Sequence, residues 1–171
     1  MAHPHDGKLA AFNVRPRAEA VADLLTCCAS PVFAEEVAAR RPYGDIEDLL
    51  DTAARTVRNL GWDEVLRALS AHPRIGERPA GQGREAAWSR QEQSGVPDAL
   101  RAALADANRA YERRFGHVYL VCATGLTGAQ LLARLEERLA NDEESEREVV
   151  RAELAAIARL RLAKLLQEEG A

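Results

Sequence analysis

Three groups of side chains in this sequence could carry acid–base or anion chemistry, and each departs from the pattern around it. "SAHPRIGERP" (70–79) sets His72 at the end of an apolar helical run and follows it at once with Pro73. Proline fixes its own φ and biases the preceding residue toward extended backbone, so the imidazole is aimed rather than free to wander. At a helix C-terminus the dipole also favours a protonated ring, which suits a proton donor. Taken alone, His72 reads as a surface or capping histidine before a catalytic one. "WSRQEQSG" (88–95) brings Ser89, Glu92 and Gln93 to i, i+3 and i+4, one face of a helix. A hydroxyl, an acid and an amide grouped there can hydrogen-bond a small polar molecule; a solvated face is the plain alternative. Trp88 is expected to anchor that helix in the core. In the last helix Val150, Leu154, Ile157 and Leu165 form an apolar stripe with Arg161 in its middle. A guanidinium cannot shed its proton, so burying it is costly unless it is paired. Its partner is either a carboxylate of the protein, or the side chain reaches to the helix end, or it grips an anionic ligand. A ligand carboxylate would fit the planar fork best.

The elements that must position these residues read as helices. The first is expected at about 18–28, and Ser30-Pro31 reads as a cap plus a first-position proline for the second. "RPYGD" breaks that helix. Ile46, Leu49, Leu50, Ala53, Val57 and Leu60 then mark a third, ending at Gly61. Trp62, Val65, Leu66 and Leu69 mark a fourth that delivers His72. A loop follows from Pro73 to Gly83, then a short helix at about 86–94. Pro97 opens a long helix with Leu100, Leu104, Ala107, Tyr111 and Phe115 on one stripe, stopped by Gly116. "HVYLVCA" (117–123) is the one extended stretch. Thr127 with Gln130 reads as a capping box for a helix carrying Leu131, Leu135 and Leu139, and the last helix spans about 142–168.

Low aromatic content (5%), abundant Ala and Leu and few β-branched runs point to an all-α chain. With 171 residues it is expected to be an irregular multi-helix single domain over 12–168, preceded by a disordered leader at 1–11. A net charge of −4 argues against nucleic acid as a partner. Neither a signal peptide nor a membrane-length apolar run is present, and the closing "EEGA" is not a peroxisomal address, so a cytoplasmic location is expected. Cys27, Cys28 and Cys122 offer no disulfide framework and no C-x-x-C pair. His3, His5 and His117 complete no H-x-x-x-H pair, so no metal site is expected.

Taken together, "HPRIGE" (72–77), "WSRQEQ" (88–93), "NRAYERRFGHVYLVCA" (108–123) and "LRL" (160–162) resemble the 2-oxo-4-hydroxy-4-carboxy-5-ureidoimidazoline (OHCU) decarboxylases of urate breakdown. "FN" (12–13) and "RPYGD" (41–45) fit as well. The resemblance spans nearly the whole chain, and the separation and order of the motifs make it specific. It implies an all-helical fold, no metal or organic cofactor, a homodimer, and decarboxylation of OHCU to (S)-allantoin, the last step from urate. By motif, it implies that His72 is the proton donor with Pro73 beside it. Ser89, Arg90, Gln91, Glu92 and Gln93 would bind substrate, Glu92 as a second acid–base or orienting residue. Tyr119, Leu120, Val121, Cys122 and Ala123 would form a wall contacting the substrate partly through backbone groups. Arg161 would grip the anionic part. Many members read His-Pro-Asp where this chain has Arg74, whose role is left open, and the 78–85 loop varies in length and could act as a lid. Two other readings stay open on the sequence. One is a helical interaction module in which Arg161 and Glu92 simply pair; the other is the same fold acting on a different small ureide or imidazoline acid.

Overall fold

The computed structural model describes residues 4–77, 84–92 and 97–167, and among them the chain forms nine α-helices and no strand. They are α1 (Pro4–Val14), α2 (Arg17–Cys27), α3 (Pro31–Ala39), α4 (Ile46–Arg58), α5 (Trp62–Leu69), α6 (Arg84–Glu92), α7 (Asp98–Phe115), α8 (Gly128–Arg138) and α9 (Glu143–Gln167). Where one core was expected, contacts divide the chain into two compact units. The first comprises 1–65 with 154–171, the second 66–153.

In the first unit the helix starts follow from their caps. Ser30 Oγ accepts from Phe33 N at 3.1 Å with Pro31 in the first turn, and Asp45 Oδ1 accepts from Asp48 N at 2.7 Å. Leu24, Phe33, Leu49, Val57 and Leu162 are fully buried there. Two expectations are corrected. Of the leader expected at 1–11, residues 1–3 lie outside the described residues, while from Pro4 the chain is helical as α1, which buries Leu9 and Phe12. The reason is visible next door, where Asn13 and Tyr43 exchange two hydrogen bonds (Nδ2 to the Tyr43 carbonyl at 3.0 Å, Tyr43 N to Oδ1 at 2.8 Å). Arg41 donates to the carbonyls of Phe12 and Arg15 at 2.8 and 2.7 Å and lies over the Phe12 ring. "FN" and "RPYGD" are thus one contact. The second correction is α4, which ends at Arg58 rather than at Gly61 because Asn59 closes it, its Nδ2 donating to the Arg55 carbonyl at 3.0 Å.

In the second unit α7 ends on Gly116, whose φ of 81° is the left-handed cap glycine adopts without strain. The capping box of α8 is present as read, Thr127 and Gln130 each satisfying the other's backbone N–H. Residues 117–123 are non-helical and pair with no strand among the described residues. Their alternate side chains Tyr119, Val121 and Ala123 join Ile75, Leu104, Tyr111, Leu131 and Leu135 in one buried cluster.

Candidate active site

His72 stands where the expected geometry puts it. The end of α5 tightens into successive turns, with His72 N donating to the Leu69 carbonyl at 3.0 Å, and Pro73 directs the chain away. The imidazole is half-buried and lines a cleft of about 530 Å³ whose other polar walls are Ser70, Arg74, Glu77, Glu112 and His117. The structure also gives Arg74 partners. Its Nε donates to Glu112 Oε1 at 2.9 Å, and its NH1 lies 3.7 Å from Glu77, so it bridges two carboxylates at the rim of the cleft.

The short helix α6 carries the second group. Trp88 and Ser89 are buried, as the anchoring expectation required of Trp88, and Glu92 is half-buried. Arg90 and Gln91 are exposed. Gln93 lies outside the described residues, as do residues 78–83 of the loop expected at 78–85; Arg84 and Glu85 form the first turn of α6. Ser89 and Glu92 do not line the His72 cleft just described.

Tyr119, Val121 and Ala123 turn their side chains into the core of the second unit and Leu120 is buried as well, which leaves backbone groups and the half-buried Cys122 as the chemistry of this segment. That backbone is pinned. Arg138 NH1 donates to the Leu120 carbonyl at 2.6 Å, Cys122 N donates to Glu153 Oε2 at 2.9 Å, and Tyr119 OH donates to the Leu131 carbonyl at 3.2 Å. Burial pushes the Tyr119 hydroxyl up to about 12, against the opposing charge of Arg138.

Arg161 belongs to the first unit and is 4% exposed, so the guanidinium in the apolar stripe is indeed buried. Val150, Leu154 and Ile157 are buried with it; Leu165 is half-buried and Leu162 and Leu166 take its place in the core. Arg161 acts on the buried thiol of Cys28. Burial pushes that thiol up to about 12, while a backbone hydrogen bond with Ser30 and the charge of Arg161 pull it down and Glu64 pushes it up. Glu64 also accepts from the fully buried Ser30 Oγ at 2.7 Å. A carboxylate of the protein therefore shares Arg161's electrostatic surroundings. His72, Ser89, Glu92 and the 119–123 segment fall in one unit, Arg161 in the other.

One polar group escaped the sequence reading. Arg138 and Glu146 form a buried ion pair, Arg138 Nε donating to Glu146 Oε1 at 2.7 Å, with Tyr111 OH donating to the same oxygen at 2.6 Å and Asn141 Nδ2 to Oε2 at 3.0 Å. The Arg138 guanidinium also lies 4.7 Å from the Tyr119 ring centroid. The signal was available, because Arg138 is seven residues after Leu131 and three after Leu135, on their stripe. The adjacent Leu139 drew the stripe to itself, and it is only half-buried.

Comparison with known proteins follows the same outline. A solved OHCU decarboxylase determined in the presence of (S)-allantoin superposes with a TM-score of 0.72 at 30% identity, covering 84% of this chain and 96% of that one. The structure is therefore of the small helical decarboxylase class. Among curated proteins, the uric acid degradation bifunctional protein TTL of Arabidopsis thaliana is 33% identical over 155 residues. The match covers 84% of this chain and only 46% of the Arabidopsis protein, so the chain spans less than half of that relative. OHCU decarboxylases of Amia calva (30% identical, 80% of this chain, 81% of that protein) and Haloferax volcanii (27%, 82% and 84%) match along most of their length. The family model described as OHCU decarboxylase matches residues 13–163. The chain belongs to the OHCU decarboxylase family.

Proposed function

We propose that the chain catalyses the cofactor-independent decarboxylation of OHCU to (S)-allantoin, the last step from urate to allantoin, with residues 12–168 as the working unit. The observation that carries the reading is His72, a half-buried imidazole held by a helix end and a proline at the wall of a cleft, within a match that runs from 13 to 163. In the reaction the bond to the carboxylate carbon breaks, CO₂ leaves, and the electron pair passes into the adjacent ring imine. Protonation of the carbon then forms the new C–H bond. His72 serves as general acid near the reacting carbon. Glu92 orients the imidazole or the substrate hydroxyl, and Arg161 grips the anionic part as a bidentate fork. Ser89, Arg90, Gln91, Gln93 and backbone groups of 119–123 recognise the ureido and ring amides. We place the enzyme in the cytoplasm as a homodimer, with OHCU as its partner molecule and neither nucleic acid nor membrane. Among the described residues no helix is long and apolar enough to cross a membrane.

The test is optical. The substrate decays unaided to racemic allantoin, so urate treated with its oxidase and hydrolase should give an excess of dextrorotatory allantoin only when this protein is added. Racemic product at the unaided rate would sink the reading. A His72→Asn variant, folded by circular dichroism, should lose about 10²–10⁴-fold in kcat, the usual range for general acid–base catalysis. Near-wild-type kcat in that variant would remove His72 from the acid role.

A further inference from the structure

The loop that carries His72 away from α5 is met, residue by residue, by one stripe of α7. Arg101, Leu104, Asn108 and Glu112 lie three, four and four residues apart, on one face of that helix. Arg101 NH1 donates to the Gly76 carbonyl at 2.6 Å, Asn108 Nδ2 donates to the Ile75 carbonyl at 2.8 Å, and Glu112 accepts from Arg74. Leu104 packs beneath Gly76, 3.4 Å from where a Cβ would stand, and Gly76 has a φ of 93°. Exposed ion pairs such as Arg74–Glu112 hold a loop weakly. Asn108 differs: it is 2% exposed, and its donor satisfies a carbonyl of the buried Ile75. That orientation leaves Asn108 Oδ1 accepting no hydrogen bond among the described residues. An unsatisfied buried acceptor is unfavourable, and the stripe position between Leu104 and Tyr111 would pack better with an apolar side chain. The amide donor is what the position supplies.

We infer that Asn108 is a positioning residue for the acid His72. It anchors the Ile75 carbonyl, three residues beyond His72, and the rigid ring of Pro73 transmits that anchor back to the imidazole. The inference rests on the role proposed above for His72, and misplacing a catalytic group by about 1 Å can cost on the order of 10²-fold in rate.

Two variants test it, Asn108→Ala, which cannot donate, and Asn108→Ser, which keeps a short donor. Asn108→Ala should fold, keep KM within about two-fold and lose 10- to 100-fold in kcat, and Asn108→Ser should recover part of that loss. The His72 imidazole NMR signal should shift in Asn108→Ala. Leu135→Ala, in the same buried cluster but on α8 and with no hydrogen-bonding side chain to hold the loop, should lower thermal stability while leaving kcat and the His72 signal as in the wild type. Wild-type kcat together with an unmoved His72 signal in folded Asn108→Ala would overturn the inference. So would equal losses of kcat in Asn108→Ala and Leu135→Ala that merely follow stability. If the wild-type chain makes no optically active allantoin, the decarboxylase reading falls, and the His72 signal alone decides whether Asn108 positions the ring.

Discussion

Arg161 and Arg138 pose the same physical problem, a charge that cannot be neutralised placed in an apolar stripe, and only one was legible. Arg161 interrupts the stripe of Val150, Leu154, Ile157 and Leu165, so its anomaly is plain; Arg138 hides beside Leu139. For Arg138 the answer lies within the protein, in Glu146, which is fully buried. Breaking a buried pair typically costs about 3–5 kcal/mol, because the surviving charge is left uncompensated. Glu146→Gln should therefore lose stability of that order in urea unfolding, and kcat should fall as Arg138, which holds the Leu120 carbonyl, loses its charged partner. Stability within about 0.5 kcal/mol of wild type, the usual spread of a featureless surface substitution, would show the pair to be dispensable. For Arg161, replacement by Lys should impair turnover, since an ammonium cannot reproduce the bidentate fork; unchanged KM and kcat would exclude it from the site. Cys28 gives a prediction with a definite sign. Burial raises its thiol from 9.0 to about 12, so the folded chain holds that proton more tightly than the unfolded one. The resulting stability is complete below pH 9.0 and is lost as pH rises toward 12. Chemical denaturation should show a decline above pH 9.0 that is shallower in Cys28→Ala.

At the scale of elements, what the chain announces locally is found where it was read. Ser30-Pro31 and the Thr127/Gln130 box open helices and Gly116 closes one as their types demand, because caps depend on three or four neighbouring residues and on little else. Gly116→Ala should cost about 1–2 kcal/mol, the strain of a left-handed backbone with a Cβ, seen as a lowered Tm. No change in Tm would mean the cap had re-formed elsewhere. Ser30→Ala should cost about 1 kcal/mol through the lost cap and leaves Glu64 without a donor it now has. The two differences have separate causes, one local and one distant. The early end of α4 depends on which of two candidates, Asn59 or Gly61, captures the last carbonyls, and the helix in the leader depends on a partner 30 residues away, Tyr43.

At the scale of the whole molecule, membership of the family is read from the order and spacing of motifs, and the match over 13–163 bears it out together with the all-α fold. The proposed homodimer predicts a mass in sedimentation equilibrium of twice 18.7 kDa, and a monomer at working concentrations would refute it. Helical periodicity, capping chemistry and the chemical identity of the imidazole, carboxylate and guanidinium are properties of short segments, and so the sequence by itself determined them. The division into two units, the pinning of 74–76 by α7 and the burial of Arg138 on Glu146 were decided only by tertiary structure. Each of those joins residues distant along the chain, and a side chain's burial and hydrogen-bond partner are set by what packs against it rather than by its neighbours in sequence.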